Sequence, residues 1–177
     1  MLVPLFLDAR RRPHAVFTRR RADLRRHAGE ISFPGGRRDP TDADLRETAL
    51  REAEEEIGLP RSDVRVLGEL APTSTFVTGY LIHPFVGLIP AARSWKPSPA
   101  EVDAVLELPL DALRAGRQRT RMERRGIEFE TDAYIVDGHL IWGATARIVE
   151  NLLDSAYSEP VATGTPTRLP HSVHEPS

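Results

Sequence analysis

The sequence predicts an α/β fold, a mixed β-sheet held between helices. Three observations carry this expectation. Short apolar segments of strand length recur at uneven spacing through most of the chain. Two longer segments, residues 41–57 and 143–157, repeat their apolar residues at helical spacing. The 177 residues, 40% apolar and 28% charged, are enough for one domain with a real core.

In chain order, residues 2–7 and 14–18 read as strands, and 30–33 as a short strand running into Pro34-Gly35-Gly36. Residues 41–57 read as a helix with Thr41 as N-cap, Asp44 three residues on as a capping-box variant, Gly58 at the stop and Pro60 blocking continuation. Residues 64–70 form a strand, and 76–89 hold one or two more around Pro84. Another strand at 102–108 precedes a short helix near 109–114. Residues 127–141 read as a hairpin turning at Asp137-Gly138. The helix at 143–157 carries an apolar stripe of Ala146, Ile148, Val149, Leu152 and Leu153. One domain over residues 1–157 is expected. Residues 158–177 have four prolines and little apolar content, so a disordered tail is expected there.

Composition excludes several functions. A net charge of -2 and 6% aromatics argue against nucleic-acid binding. The sequence contains no run of about 18 apolar residues, so no membrane helix is expected. MLVPLFLDARRR places its short apolar stretch before its charges, as a strand does and a signal peptide does not. The absence of cysteine excludes disulfides and thiolate metal sites. A cytoplasmic location fits these features.

The first long helix carries its acids in an awkward place. Four of the five residues 52–56 are glutamates, next to the helix C-terminus, where the macrodipole disfavours anions by about 0.3–1 kcal/mol each. On a helical wheel Glu52, Glu55 and Glu56 share a face beside Ala49, Leu50, Ala53 and Ile57, whereas Glu54 points away. A solvated face neutralised by Arg46 and Arg51 is one explanation. The other is a hard-oxygen site for Mg²⁺ or Mn²⁺, which turns the repulsion into attraction.

Arg51-Glu52-Ala53-Glu54-Glu55-Glu56-Ile57-Gly58-Leu59 resembles the end of the Nudix box, G-x5-E-x7-R-E-U-x-E-E-x-G-U. One residue more separates Gly36 from Arg51 than the box has, and Asp42 sits where its first glutamate is expected. A one-residue insertion in the loop accounts for both. Upstream, Val16-Phe17-Thr18-Arg19-Arg20-Arg21, Arg25, Gly29 and Phe33-Pro34-Gly35-Gly36 resemble the motif of the coenzyme A pyrophosphatase branch. Arg21 departs from it, since a small residue is usual there. Asp39, Asp42 and Thr48-Ala49-Leu50 also fit that branch. The two motifs span residues 16–59.

The resemblance implies an α/β/α sandwich and metal-dependent hydrolysis of a nucleoside diphosphate linked to another group. It implies that Glu52, Glu55 and Glu56 hold Mg²⁺ or Mn²⁺, that Gly35 and Gly36 curl beside the metal, and that Arg51 steadies the glutamates. Glu101, which opens a strand after a loop, is the expected base or extra ligand. Arg20 and Arg25 are expected on substrate phosphates, with Arg37 able to reach one from the loop. The expected substrate is coenzyme A or a related small nucleotide, with no nucleic-acid or membrane partner and a homodimer allowed. ADP-ribose, NADH or a nucleoside triphosphate is the rival substrate, and a silent ligand sensor the rival class. His27 reads as a surface residue and Trp142 and Phe76 as core, with Tyr80 undecided between core and base platform.

Overall fold

The computed structural model describes residues 1–23, 29–75, 79–91, 94–124 and 126–158. Arg25, His27, Phe76 and the expected tail beyond Ser158 lie outside the described residues. The strands are β1 (Leu2–Leu7), β2 (Pro13–Arg20), β3 (Ile31–Ser32), β4 (Arg65–Glu69), β5 (Thr73–Ser74), β6 (Leu81–Ile82), β7 (Phe85–Leu88), β8 (Val102–Pro109), β9 (Arg117–Arg124), β10 (Ile127–Val136) and β11 (His139–Trp142). The helices are α1 (Leu45–Ile57), α2 (Leu110–Ala115) and α3 (Gly143–Tyr157).

The main sheet is mixed, as expected. β1 runs parallel to β7 and antiparallel to β2. β4 closes one side against β7. β2 carries β1 and β3 along one edge and β8 along the other. Strand alternation divides the core between the two faces. Leu2, Phe6 and Val16 point to α1, joining Ala49, Leu50, Ala53 and Ile57. Val3, Ala15 and Phe17 point to the other face, joining Ile148, Val149 and Leu152 of α3. Fully burying a large apolar side chain such as Leu2, Val3, Phe17 or Ile57 contributes about 1.5–3 kcal/mol, and an alanine less. An antiparallel sheet, β9-β10-β11, and a two-stranded β5-β6 hairpin complete the described structure.

The α1 start differs from expectation. Asp44, not Thr41, is the N-cap, accepting from Glu47 N at 2.8 Å. Thr41 is engaged earlier: its N–H and hydroxyl both go to Asp39 Oδ1, at 2.9 and 2.7 Å. The loop therefore runs three residues further before the helix begins. The stop is as read, with Gly58 left-handed at φ 67° and donating to the carbonyls of Ala53 and Glu54. β9 was not anticipated, because RQRTRMER offers little apolar alternation; its backbone pairs with β10 over the whole strand. Asp137 and Gly138 both adopt positive φ at the β10–β11 turn, as an Asp-Gly hairpin requires. Trp142 is half-buried and caps α3, with its ring 6.3 Å from that of Phe129, so it is not full core.

Candidate active site

The loop between β3 and α1 is pinned at its start. Phe33 stacks on Phe17 with centroids 4.3 Å apart, and Pro34 O accepts from Leu2 N at 2.9 Å. Gly35 and Gly36 then fold onto the last turns of α1. Gly35 N donates to Glu56 Oε2 at 3.1 Å. A β-carbon at Gly36 would stand 2.4 Å from Glu52 Oε1, so only glycine allows the carboxylate this close.

The three glutamates are not equivalent. Glu56 is only 5% exposed. The side chain of Glu52 is 17% exposed and that of Glu55 58%. Burial pushes the Glu56 carboxyl up to about 7; Glu52 and Glu101 add to the rise, and the Gly35 N–H and Arg20 oppose it. Burial raises Glu52 as well, against the opposing charge of Arg51.

Arg51 organises the outer side. Its Nε and Nη2 grip Asp42 Oδ1 and Oδ2 at 2.9 and 3.0 Å, its Nη2 also reaches Arg37 O at 3.1 Å, and its Nη1 lies 3.1 Å from Glu52 and 3.0 Å from Glu55. Asp42 accepts further bonds from Asp39 N and the Thr48 hydroxyl, both at 2.9 Å, and is held well below the usual carboxylate range, chiefly by Arg51. Asp42 thus occupies the place of the box's first acid, and the inserted residue is absorbed in the loop. Arg38 is used on that loop, donating to Asp42 O and Ala43 O at 3.0 Å each.

The inner side comes from β2 and β8. Their pairing shifts register between Arg19 and Arg20, so Arg20 lies opposite Val102, next to Glu101. Bulges commonly re-aim a side chain beside a site. Arg20 Nη2 is 3.8 Å from Glu101 Oε2. Its Nε is buried without a hydrogen-bond partner, alone in this respect among the described residues. The approach to Glu101 is tied down by main-chain bonds, Ser98 N to Glu56 O at 2.8 Å and Arg21 N to Glu101 O at 3.0 Å. Arg21 also donates to Pro99 O at 2.5 Å while pairing with Asp23, so this departure from the motif anchors the loop before Glu101. Sequence reasoning missed that role and that of Asp42; for Asp42 the signal was its position in the box.

The fold thus brings Glu52, Glu56, Glu101, Arg20, Gly35 and Gly36 together. Glu55 stands on the solvent side with Arg51, and the Arg37 guanidinium lies over the Tyr80 ring, 4.9 Å from its centroid. Among the described residues no three acidic or histidine side chains form a closed metal cage. The donor set still fits Mg²⁺ or Mn²⁺: it is all oxygen, and two crowded, desolvated carboxylates call for a cation. Mg²⁺ typically takes one or two carboxylates and keeps several waters.

A mixed sheet between helices, with a glycine loop folded onto an acid-rich helix end, defines a class, and the chain belongs to the Nudix family. The NUDIX domain model matches residues 2–129. A Photorhabdus laumondii protein named uncharacterized Nudix hydrolase NudL is 44% identical over 154 residues, covering 86% of this chain and 81% of its own. A Yersinia pestis protein of the same name is 42% identical, with 86% and 76% covered. Among solved structures, the MutT protein of Methanosarcina mazei superposes with a TM-score of 0.57 over 89% of this chain and 94% of its own; at 18% identity it supports the fold alone. No described helix is long and apolar enough to cross a membrane.

Proposed function

We propose that the protein hydrolyses the diphosphate bond of coenzyme A, free or acylated, to 3′,5′-ADP and 4′-phosphopantetheine. The observation that carries this reading is Arg20. It comes from the motif specific to the branch, and the β2 bulge places it, with a buried and unpartnered Nε, beside Glu101 and close enough to Glu56 for their charges to interact. A guanidinium with a free donor suits a phosphate oxygen, which it can bind in bidentate fashion.

In this reading Glu52 and Glu56 hold a divalent cation, with Glu55 contributing from the solvent side. When bound, such a cation neutralises phosphate charge and lowers the pKa of an attacking water. The Gly35–Gly36 segment keeps Glu56 oriented through the Gly35 N–H, and Arg51 steadies Glu52 and Glu55 from behind. Glu101 is the base: it lies in the turn immediately before β8, is half-exposed, and is able to take a proton from water at the edge of the cluster. Arg20 and Arg25 bind phosphates, and Arg37 closes the outer rim.

The test is product identity. Coenzyme A is incubated with the protein and Mg²⁺ or Mn²⁺ in ¹⁸O-water, and products are read by mass spectrometry. The expected result is 3′,5′-ADP and 4′-phosphopantetheine, with one ¹⁸O between them and none formed in EDTA. Release of adenine, free phosphate or intact coenzyme A only would overturn the proposal.

A further inference from the structure

We propose that Tyr80 is the platform on which the base of the substrate's nucleoside diphosphate stacks. This rests on the pyrophosphatase reading above and adds the element that recognises the nucleoside half. Tyr80 belongs to neither hydrophobic core cluster and is 53% exposed, next to Leu81 at 57%. Among the described residues its hydroxyl has no hydrogen-bond partner. A large ring left in water by the fold contributes little to packing, yet its backbone is fixed at both its N–H and its carbonyl by Thr75. Tyr80 N donates to Thr75 Oγ1 at 3.0 Å, and Tyr80 O accepts from Thr75 N at 2.8 Å. Gly79 turns the chain with φ 65° and donates to Thr75 O at 3.1 Å. The hairpin is moored to α3 by a hydrogen bond from Arg147 to Ser74 O.

The ring is also tied to the acid cluster. Arg37 places its guanidinium over the ring, follows directly on Gly36, and lends its carbonyl to Arg51. Gly36 in turn lies against the Glu52 carboxylate. The aromatic face therefore stands one arginine side chain beyond the loop that borders the proposed diphosphate position. Stacking on an aromatic is worth enough to select for any base and is tolerant of which base, because each has a π-face. Arg37 takes one face of the half-exposed ring, so in this proposal the base stacks on the opposite face.

The test uses 1,N6-etheno-ADP, whose fluorescence is quenched by stacking, with ribose 5-diphosphate as the base-free control. Binding of both to wild type, Tyr80→Phe and Tyr80→Leu is measured in Mg²⁺. Wild type and Tyr80→Phe should quench the probe, and Tyr80→Leu should bind it about 5- to 150-fold more weakly without quenching. Ribose 5-diphosphate should bind all three equally. Equal probe binding by Tyr80→Leu, or an equal loss for the base-free control, overturns the platform while leaving the hydrolase reading intact. No binding of either ligand by wild type overturns both.

Discussion

Arg51 holds both carboxylate oxygens of Asp42, Nε to Oδ1 at 2.9 Å and Nη2 to Oδ2 at 3.0 Å, while its remaining nitrogen reaches Glu52 and Glu55. One guanidinium therefore couples the inserted loop to the acidic face of α1. Asp42→Ala is expected to keep the fold and lower turnover about 10–100-fold, the usual effect of removing a partner behind a metal ligand. Steady-state kinetics alongside circular dichroism checks this; unchanged turnover would detach the loop from the site.

The same pair sets an acid limit. Arg51 holds Asp42 ionised in the folded state below the range of an unfolded aspartate, about 3.9. A depressed carboxyl stabilises the fold above the unfolded pKa, and that contribution is lost as pH falls through the folded value. The melting-temperature gap between wild type and Asp42→Asn should be constant from neutral pH down to about pH 5 and shrink below about pH 4. A gap that grew on acidification would contradict the assignment.

The graded burial of the three glutamates predicts graded kinetics. Glu56→Gln and Glu52→Gln should each lose more than the about 10–100-fold typical of outer partners, and Glu55→Gln should lose less than either. Titration of Mn²⁺ by electron paramagnetic resonance should rank the three variants in the same order. Equal losses at all three would mean that Glu55 leaves Arg51 to join the others.

Gly36→Ala places a methyl group 2.4 Å from Glu52 Oε1. Overpacking of this kind costs about 1–3 kcal/mol where the neighbour cannot yield. Mn²⁺ affinity should fall more than the melting temperature does, because Glu52 is the group displaced. A variant with unaltered Mn²⁺ affinity would exclude Glu52 as a ligand.

Ile57→Ala, at a fully buried position under the α1 terminus, should cost about 2–5 kcal/mol in denaturant unfolding. A smaller effect would show that the helix end is held mainly by the loop.

Much of the fold was legible because period carries direction. The alternation of Leu2, Val3 and Val16, Phe17 separates two faces of a sheet, and the repeats in α1 and α3 mark their buried stripes. The Glu52, Glu55 and Glu56 face could be read from the same wheel, but its gradient of burial could not. That gradient depends on where a distant glycine loop and the start of β8 come to rest. β9 escaped notice because its order comes from pairing with β10 and not from its own side chains. Thr41 was a plausible cap by type, and lost the position because Asp39 captures its hydroxyl.

Coenzyme A is the substrate proposed for the acidic cluster at the end of α1. The most direct measurement is kcat/KM for coenzyme A, ADP-ribose, NADH and dATP in parallel, with Mg²⁺, Mn²⁺ or EDTA. Metal-dependent turnover is expected with coenzyme A at least tenfold ahead of the others, a difference of about 1.4 kcal/mol in transition-state stabilisation. A faster rate on any of the other three, or none on coenzyme A, would contradict it.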